Sequence, residues 1–125
     1  LIFKNKSESY FRKLENEITL EVLKKKNSVI SLGGGAFLNK LIRKSAKDKS
    51  VSFWLDVEIA QLIKRLNKTK KRPLLYKKNI SATVKKIYFD REKIYSKADY
   101  RIKCSSLKTS EIVNKILKLY ENSGN

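Results

Sequence analysis

The sequence predicts an α/β fold with a parallel sheet and right-handed crossover connections. Short runs of β-branched and aromatic residues alternate with segments whose apolar residues recur at spacings of three and four. This alternation of strands and helices is typical of parallel sheets. Three of the four glycines in the chain stand together at 33–35, directly after one of these runs. Because ligands bind beyond the carboxyl ends of such strands, the glycine turn is a candidate binding loop. A tight turn without a ligand is the competing interpretation.

The first half of the chain is predicted to contain a helix, a strand, the glycine turn and a second helix. Apolar spacing predicts the first helix over residues 9–24, with one apolar face. Residues 29–32 predict a short buried strand. A short helix through Ile42 is expected after the glycines, and the polar stretch 47–50 is expected to end it.

The second half predicts two further strands and three helices. The strands are expected at 51–57 and 100–104, and the first two helices at 59–66 and 81–98. The charges of the later strand place it near a sheet edge. Thr109 or Ser110 is expected to cap the last helix, with Glu111 in its first turn.

A polar, basic loop over residues 67–76 interrupts the helical periodicity and holds the only proline, Pro73. Such a loop is often a solvated connector. It can also be a mobile lid that brings an arginine onto phosphate oxygens and excludes water.

Arg12 and Glu15 lie three residues apart on the first predicted helix and are therefore neighbours. On these two residues alone, an exposed ion pair of little energetic weight is the favoured interpretation. In the functional interpretation, Glu15 holds Arg12 in a fixed orientation for an anionic ligand.

Arg91 falls between Tyr88 and Tyr95 on one face of the 81–98 helix. A guanidinium directed to the interior needs an anion, because desolvating an unpaired charge is costly. The anion would be an internal carboxylate such as Glu15, or a bound acid. Alternatively, the side chain extends along the surface and keeps its charge in water.

The chain is strongly basic, with 30 basic and 12 acidic residues and a net charge of +18. This excess favours anionic ligands and raises nucleic acid as a partner. The basic residues are spread along the chain, however, and most are lysine. An arginine in this background suggests a bidentate contact with a carboxylate or phosphate. The six are Arg12, Arg43, Arg65, Arg72, Arg91 and Arg101.

The residues that are scarce exclude several kinds of chemistry. Without histidine and with one cysteine, the chain contains neither a zinc site of the usual ligands nor a histidine-based triad. Cys104 is expected to be a small buried residue in a reducing, cytoplasmic compartment. No apolar run approaches the roughly 18 residues of a membrane helix.

Four stretches together resemble the shikimate kinase family of P-loop small-molecule kinases. They are residues 7–15, 29–37, 71–75 and 90–99, in the order and spacing of the family pattern. The resemblance covers nearly the whole chain. It implies one α/β domain with a three-layer parallel sheet of the nucleoside-monophosphate-kinase type, of which residues 1–125 are the carboxy-terminal portion. Residues 8–37 would form the shikimate-binding segment and 67–80 the lid.

The resemblance also implies roles for individual residues. Arg12, in Phe-Arg-x-x-Glu, and Arg91, before Tyr-x-x-Ala-Asp, match the arginines that hold the shikimate carboxylate. Glu15 matches the acid that orients them. Five further residues match ligand positions: Gly33, Gly34 and Gly35 for the shikimate hydroxyls, Arg72 for the ATP phosphates, and Arg65 beside the adenine.

The chain departs from the family in lacking G-x-x-x-x-G-K-[ST]. The family's amino-terminal part, with its central Walker A strand and its Mg²⁺-binding residues, has no counterpart in this sequence, so no metal ligand is assigned here. Without that strand, the strands at 29–32 and 51–57 would expose apolar side chains. We therefore expect these 125 residues alone to be poorly stable and inactive, which measurable shikimate phosphorylation would refute.

The function implied is transfer of the γ-phosphoryl of MgATP to the 3-hydroxyl of shikimate, by a cytoplasmic monomer that binds neither nucleic acid nor membrane. Two alternatives stay open. One is a P-loop kinase for another small polyol or acid, although a pair of carboxylate-binding arginines argues against a neutral sugar. The other is a basic nucleic-acid-binding module, which requires a clustered basic face.

Overall fold

The computed structural model describes residues 8–68 and 79–123. The chain divides into two compact units, Leu1–Ser52 and Phe53–Asn125. The lid was predicted over residues 67–80, and its residues 69–78, including Arg72, lie outside the described residues. Within the described ranges, no helix has the length and apolarity that a bilayer crossing requires.

The first unit contains two α-helices and a 3₁₀ turn. Helix α1 spans Glu8–Val22, in agreement with the predicted apolar spacing. The glycines lead into the 3₁₀ turn Ala36–Leu38, and helix α2 spans Lys40–Lys49. The side chain of Asn39 caps α2 by accepting hydrogen bonds from the backbone N–H groups of residues 41 and 42, at 2.8 and 3.1 Å.

The core of this unit lies where α1 meets the 3₁₀ turn and α2. Its buried members are Leu23, Ala36, Ile42 and Ala46. Partly buried apolar side chains from the segment before the glycines, including Ile30 and Leu32, pack against them. The glycine turn is thus anchored on both sides by apolar contacts, which fixes its position relative to α1.

The predicted strand at 29–32 is wrong. Residues 28–33 have no regular secondary structure, and Val29 is fully exposed instead of buried. A β-branched run forms a strand only where another strand supplies the ladder of hydrogen bonds. In the described part of the chain, no strand pairs with this segment.

The second unit contains two parallel strands and three helices. Strand β1, Phe53–Asp56, pairs with β2, Tyr100–Lys103, in the register Phe53 to Tyr100 and Asp56 to Lys103. The backbone N–H of Cys104 donates to the carbonyl of Asp56 at 2.8 Å and extends the pairing. The parallel pair confirms the predicted fold class, although the described residues hold two strands where three were predicted.

The three helices of this unit are α3, Ile59–Lys68, α4, Asn79–Tyr95, and α5, Thr109–Asn122. Helix α4 stops three residues before the predicted end because residues 97 and 98 form tighter turns, donating to carbonyls three residues back. The cap of α5 is Lys108, not Thr109 or Ser110. As predicted, Glu111 lies in the first turn, where its Oε1 accepts from the Lys108 N–H at 2.9 Å.

Candidate functional site

Arg12 and Glu15 form an ion pair on α1. Nη1 of Arg12 donates to Oε1 of Glu15 at 2.8 Å, and Nη2 lies 3.8 Å from a carboxylate oxygen of Glu8. The Glu15 side chain is only 21% exposed, so this pair is less screened than an ordinary surface pair. The predicted contact between Arg12 and Glu15 is confirmed, and it limits the orientations open to the guanidinium.

The glycine turn lies against this ion pair. A Cβ built on Gly35 would be 2.8 Å from Cζ of Arg12, closer than real Cβ contacts come. A Cβ on Gly33 would be 3.2 Å from Oε2 of Glu15. The group that approaches bare backbone at these two positions is therefore the protein's own ion pair. A ligand or a simple tight turn was expected there from the sequence, and nothing in the spacing of the glycines indicated this packing.

Arg91 lies on α4, partly buried, in the second unit. Its Nη1 donates to the hydroxyl of Tyr95 at 3.4 Å, a long hydrogen bond. Glu15 belongs to the first unit, so its pairing with Arg91 remains a prediction. The expected stripe on α4 is confirmed in part, since Val84 is buried and Tyr88 reaches a buried carboxylate.

That carboxylate is Asp56, at the carboxyl end of β1, which the sequence analysis did not select. It is 6% exposed and accepts from Tyr88 and from the guanidinium of Arg101. An aspartate as the last residue of a buried strand was the available signal, because the carboxyl ends of parallel strands are where functional groups gather. The scarcity of arginine, which drew attention to four others, applied equally to Arg101.

Among the described residues of the second unit, three ionisable groups have shifted pKa values. Burial and the hydrogen bond to Asp56 raise the pKa of Tyr88, because both favour the neutral phenol. The hydrogen bonds to Asp56 raise the pKa of Arg101. Burial raises the pKa of the Cys104 thiol, and the charge of Arg65 opposes this effect. Cys104 is buried, as predicted.

Arg65 is exposed on α3 and acts electrostatically on Cys104, just beyond β2.

A basic groove lies beside β2, and it contains none of the predicted ligand residues. Its lining consists of Arg101, Ile102, Lys103, Lys115, Lys118 and Leu119. Within residues 8–68 and 79–123, no cluster of three or more acidic or cysteine side chains could hold a metal ion.

Solved structures share this fold. One is a shikimate kinase from Acinetobacter baumannii in complex with shikimate. The match covers 98% of the present chain and 69% of the Acinetobacter chain, with a TM-score of 0.84 and 26% sequence identity. Another is the shikimate kinase from Aquifex aeolicus. The match covers 98% of the present chain and 71% of the Aquifex chain, with a TM-score of 0.82 and 35% sequence identity. The parallel sheet and its helices thus define a chain of the small-molecule kinase class.

Sequence comparison narrows this class to one family. The family model for shikimate kinase matches residues 1–121. A curated shikimate kinase from Aquifex aeolicus is 36% identical over 122 residues, which cover 98% of the chain and 71% of that relative. One from Bartonella henselae is 39% identical over 101 residues, which cover 81% of the chain and 48% of the relative. The chain belongs to the shikimate kinase family, as its motifs predicted, and spans about half the length of the curated Bartonella relatives.

Proposed function

We propose that the protein carrying this chain transfers the γ-phosphoryl group of ATP to the 3-hydroxyl of shikimate, in aromatic amino-acid (chorismate) biosynthesis. The hydroxyl oxygen bonds to the γ-phosphorus, the bond to the β–γ bridging oxygen breaks, and ADP leaves with that electron pair. The hydroxyl proton is released, so the products are shikimate 3-phosphate and ADP. Family membership supports this reaction, as does the Acinetobacter relative solved in complex with shikimate.

The observation that carries the proposal is the position of Arg12, held by Glu15 and lying against Gly35. A guanidinium fixed in this way recognises a carboxylate with little further loss of side-chain freedom. Arg12 and Arg91 would bind the shikimate carboxylate, and Glu15 would orient Arg12. The turn formed by Gly33, Gly34 and Gly35 would contact the shikimate hydroxyls.

On the nucleotide side, Arg72 would bind the ATP phosphates and Arg65 would lie beside the adenine. Phosphoryl transfer depends on positioning and on stabilising the phosphoryl charge, which an arginine at the phosphates supplies. Mg²⁺ would neutralise phosphate charge when bound with ATP. No residue of this chain is assigned to the metal.

We further propose a monomer that acts in the cytoplasm, without a nucleic-acid or membrane partner. The free, buried thiol of Cys104 supports a reducing compartment. Light scattering coupled to gel filtration would measure the oligomeric state.

The test is ADP release by the full gene product that carries this chain, with shikimate and with a panel of neutral polyols and other small acids. The proposal is supported if ADP is released with shikimate and with none of the other compounds in the panel. Arg12→Lys and Arg91→Lys should each raise the KM for shikimate about 10- to 100-fold, since a charge-assisted hydrogen bond contributes about 1.5–3 kcal/mol.

Arg43→Lys is the matched control in this assay. Arg43 donates to the carbonyl of Phe37 at 2.8 Å and has no proposed ligand role. The KM of the Arg43→Lys variant for shikimate should therefore equal that of the wild type. Turnover of a neutral polyol in preference to shikimate would overturn the proposal and favour another P-loop kinase.

A further inference from the structure

Asp56 is a buried carboxylate that the proposed reaction leaves without a role. Its Oδ1 accepts from the Tyr88 hydroxyl at 2.9 Å, and its Oδ2 accepts from Nε and Nη2 of Arg101 at 2.8 and 2.5 Å. A buried charge with three donors is well satisfied, and its partners are held in narrow geometry. Asp56 therefore ties α4, through Tyr88, to the carboxyl end of the sheet.

Helix α4 has a second attachment to the sheet through Trp54. The guanidinium carbon of Arg101 lies 4.6 Å from the Trp54 ring centroid. The Tyr95 ring meets the same indole edge-on, with centroids 6.0 Å apart and an interplanar angle of 66°. Cation–π and edge-to-face contacts both favour one orientation of the rings.

Arg91 lies between these two attachments on α4. Tyr88 and Tyr95 are seven residues apart, about two helical turns, and Arg91 is three residues from one and four from the other. All three share one face of the helix. Each residue step rotates the helix by about 100° and moves it about 1.5 Å, so a one-residue shift of α4 would break both tyrosine contacts.

We propose that Asp56, Tyr88 and Tyr95 are positioning residues that set the direction of the Arg91 guanidinium. Tyr88 and Asp56 fix the rotation of α4, and Tyr95 accepts a hydrogen bond from Nη1 of Arg91 at 3.4 Å. The proposal rests on the proposed function, in which Arg91 binds the substrate carboxylate.

The kinetic test uses variants that remove one hydroxyl and keep the ring. Tyr88→Phe and Tyr95→Phe should each raise the KM for shikimate about 3- to 10-fold, as expected for loss of one hydrogen bond that orients a charged group. The kcat and the KM for ATP should stay within about two-fold, because the change precedes chemistry and concerns one substrate.

The control is Tyr100→Phe, which makes the same change on a tyrosine whose ring stacks on Phe53. It should leave all three constants unchanged. Asp56→Ala removes the acceptor of the Tyr88 hydroxyl and the partner of Arg101, so it should raise the KM at least as much as Tyr88→Phe does. Adding Tyr88→Phe to Asp56→Ala should raise the KM no further, since the hydroxyl bond is already lost. Equal KM values in Tyr88→Phe, Tyr95→Phe and Tyr100→Phe would overturn the proposal.

A second readout does not require the reaction. The Nε–Hε NMR signal of Arg91 in the full gene product should show restricted motion in the wild type and in Tyr100→Phe, and fast motion in Tyr88→Phe and Tyr95→Phe. Identical Arg91 dynamics in all four proteins would overturn the positioning role. If the wild type fails to phosphorylate shikimate, the proposed function is wrong, and this signal still decides whether Arg91 is positioned.

Discussion

At Gly35, another side chain lies where a Cβ atom would be. The guanidinium of Arg12 fills the space that a Cβ would need, and Oε2 of Glu15 is the nearest neighbour of the corresponding space at Gly33. The sequence pointed to both the glycine triplet and the Arg12–Glu15 pair, but as separate features. Their contact depends on how α1 packs against the turn, and single-sequence periodicity carries no information about that packing.

Gly35→Ala should impair shikimate binding more than it impairs folding. The atoms in its way belong to the end of a long, flexible side chain, so Arg12 can move aside at small cost in stability. The same movement takes the guanidinium from its position beside Glu15. We expect the KM for shikimate to rise at least about 10-fold, as for loss of one charge-assisted hydrogen bond.

Two comparisons sharpen this prediction. Gly33→Ala should have a smaller effect, because its Cβ would only approach Glu15 at 3.2 Å, and Ser31→Ala, at an exposed loop position, should have none. Both KM and the midpoint of thermal unfolding are measured for each variant. A Gly35→Ala protein with wild-type KM would show that the orientation of Arg12 does not depend on this space.

At the scale of elements, each helix was predicted from its own amphipathic period. The expectation that the polar stretch 47–50 ends α2 was wrong for residues 47–49, because α2 continues to Lys49 and its exposed lysines are compatible with a helix. The strands depended on partners that the sequence does not specify. Residues 53–56 and 100–103 pair with each other, whereas residues 29–32, which hold as many apolar residues as 53–56, do not form a strand. The link between β1, β2 and α4 through Asp56 was missed, because it joins residues 45 apart in the chain.

The Asp56–Arg101 pair should be asymmetric in its effect on stability. Arg101→Leu leaves an Asp56 side chain that is 7% exposed without two of its three hydrogen bonds. Because Arg101 is itself 42% exposed and screened by solvent, the cost should lie below the about 3–5 kcal/mol of a fully buried pair. Asp56→Asn leaves a guanidinium that is 42% exposed and can be rehydrated, so it should cost less. Urea unfolding measures both. Equal losses would mean that the burial of Asp56 does not dominate the energy of the pair.

The same network gives a prediction at alkaline pH. The pKa of Tyr88 is raised above its usual 10.0, so the folded state binds the phenolic proton more tightly than the unfolded state does. The stabilisation is complete below pH 10 and is lost as pH rises through the folded-state pKa. The free energy of unfolding should fall less steeply above pH 10 in Tyr88→Phe than in the wild type. Parallel curves for the two proteins would contradict the shift.

At the scale of the whole molecule, we expect charge repulsion to outweigh the ion pairs. The net charge is +18, while the salt bridges of the described residues are five, most of them exposed. Exposed pairs contribute little, and unbalanced like charges destabilise a compact state. The family and the positions of its motifs were predictable from the sequence, since both are linear patterns. The total charge was also known from the sequence. Which charged side chains form ion pairs was not, because that depends on the folded structure.

Added salt should therefore stabilise the protein. Raising NaCl from about 0.01 to 0.3 M shortens the Debye length from roughly 30 Å to below 8 Å and screens the repulsion. The urea midpoint should rise, and the rise should be smaller in the double variant Lys25→Glu, Lys26→Glu, which lowers the net charge at two exposed positions. A urea midpoint that falls with salt would show that the ion pairs dominate.

The most direct test of the proposed site compares the affinity of the full gene product for shikimate with its affinity for the neutral carboxamide of shikimate, by calorimetry. We predict that the wild type prefers the carboxylate by at least about 10- to 100-fold, the effect of one charge-assisted hydrogen bond. Arg12→Lys, Arg91→Lys and Gly35→Ala should each reduce this preference, and Arg43→Lys should preserve it. Equal affinity of the wild type for the two compounds would contradict the assignment of Arg12 and Arg91 to the substrate carboxylate.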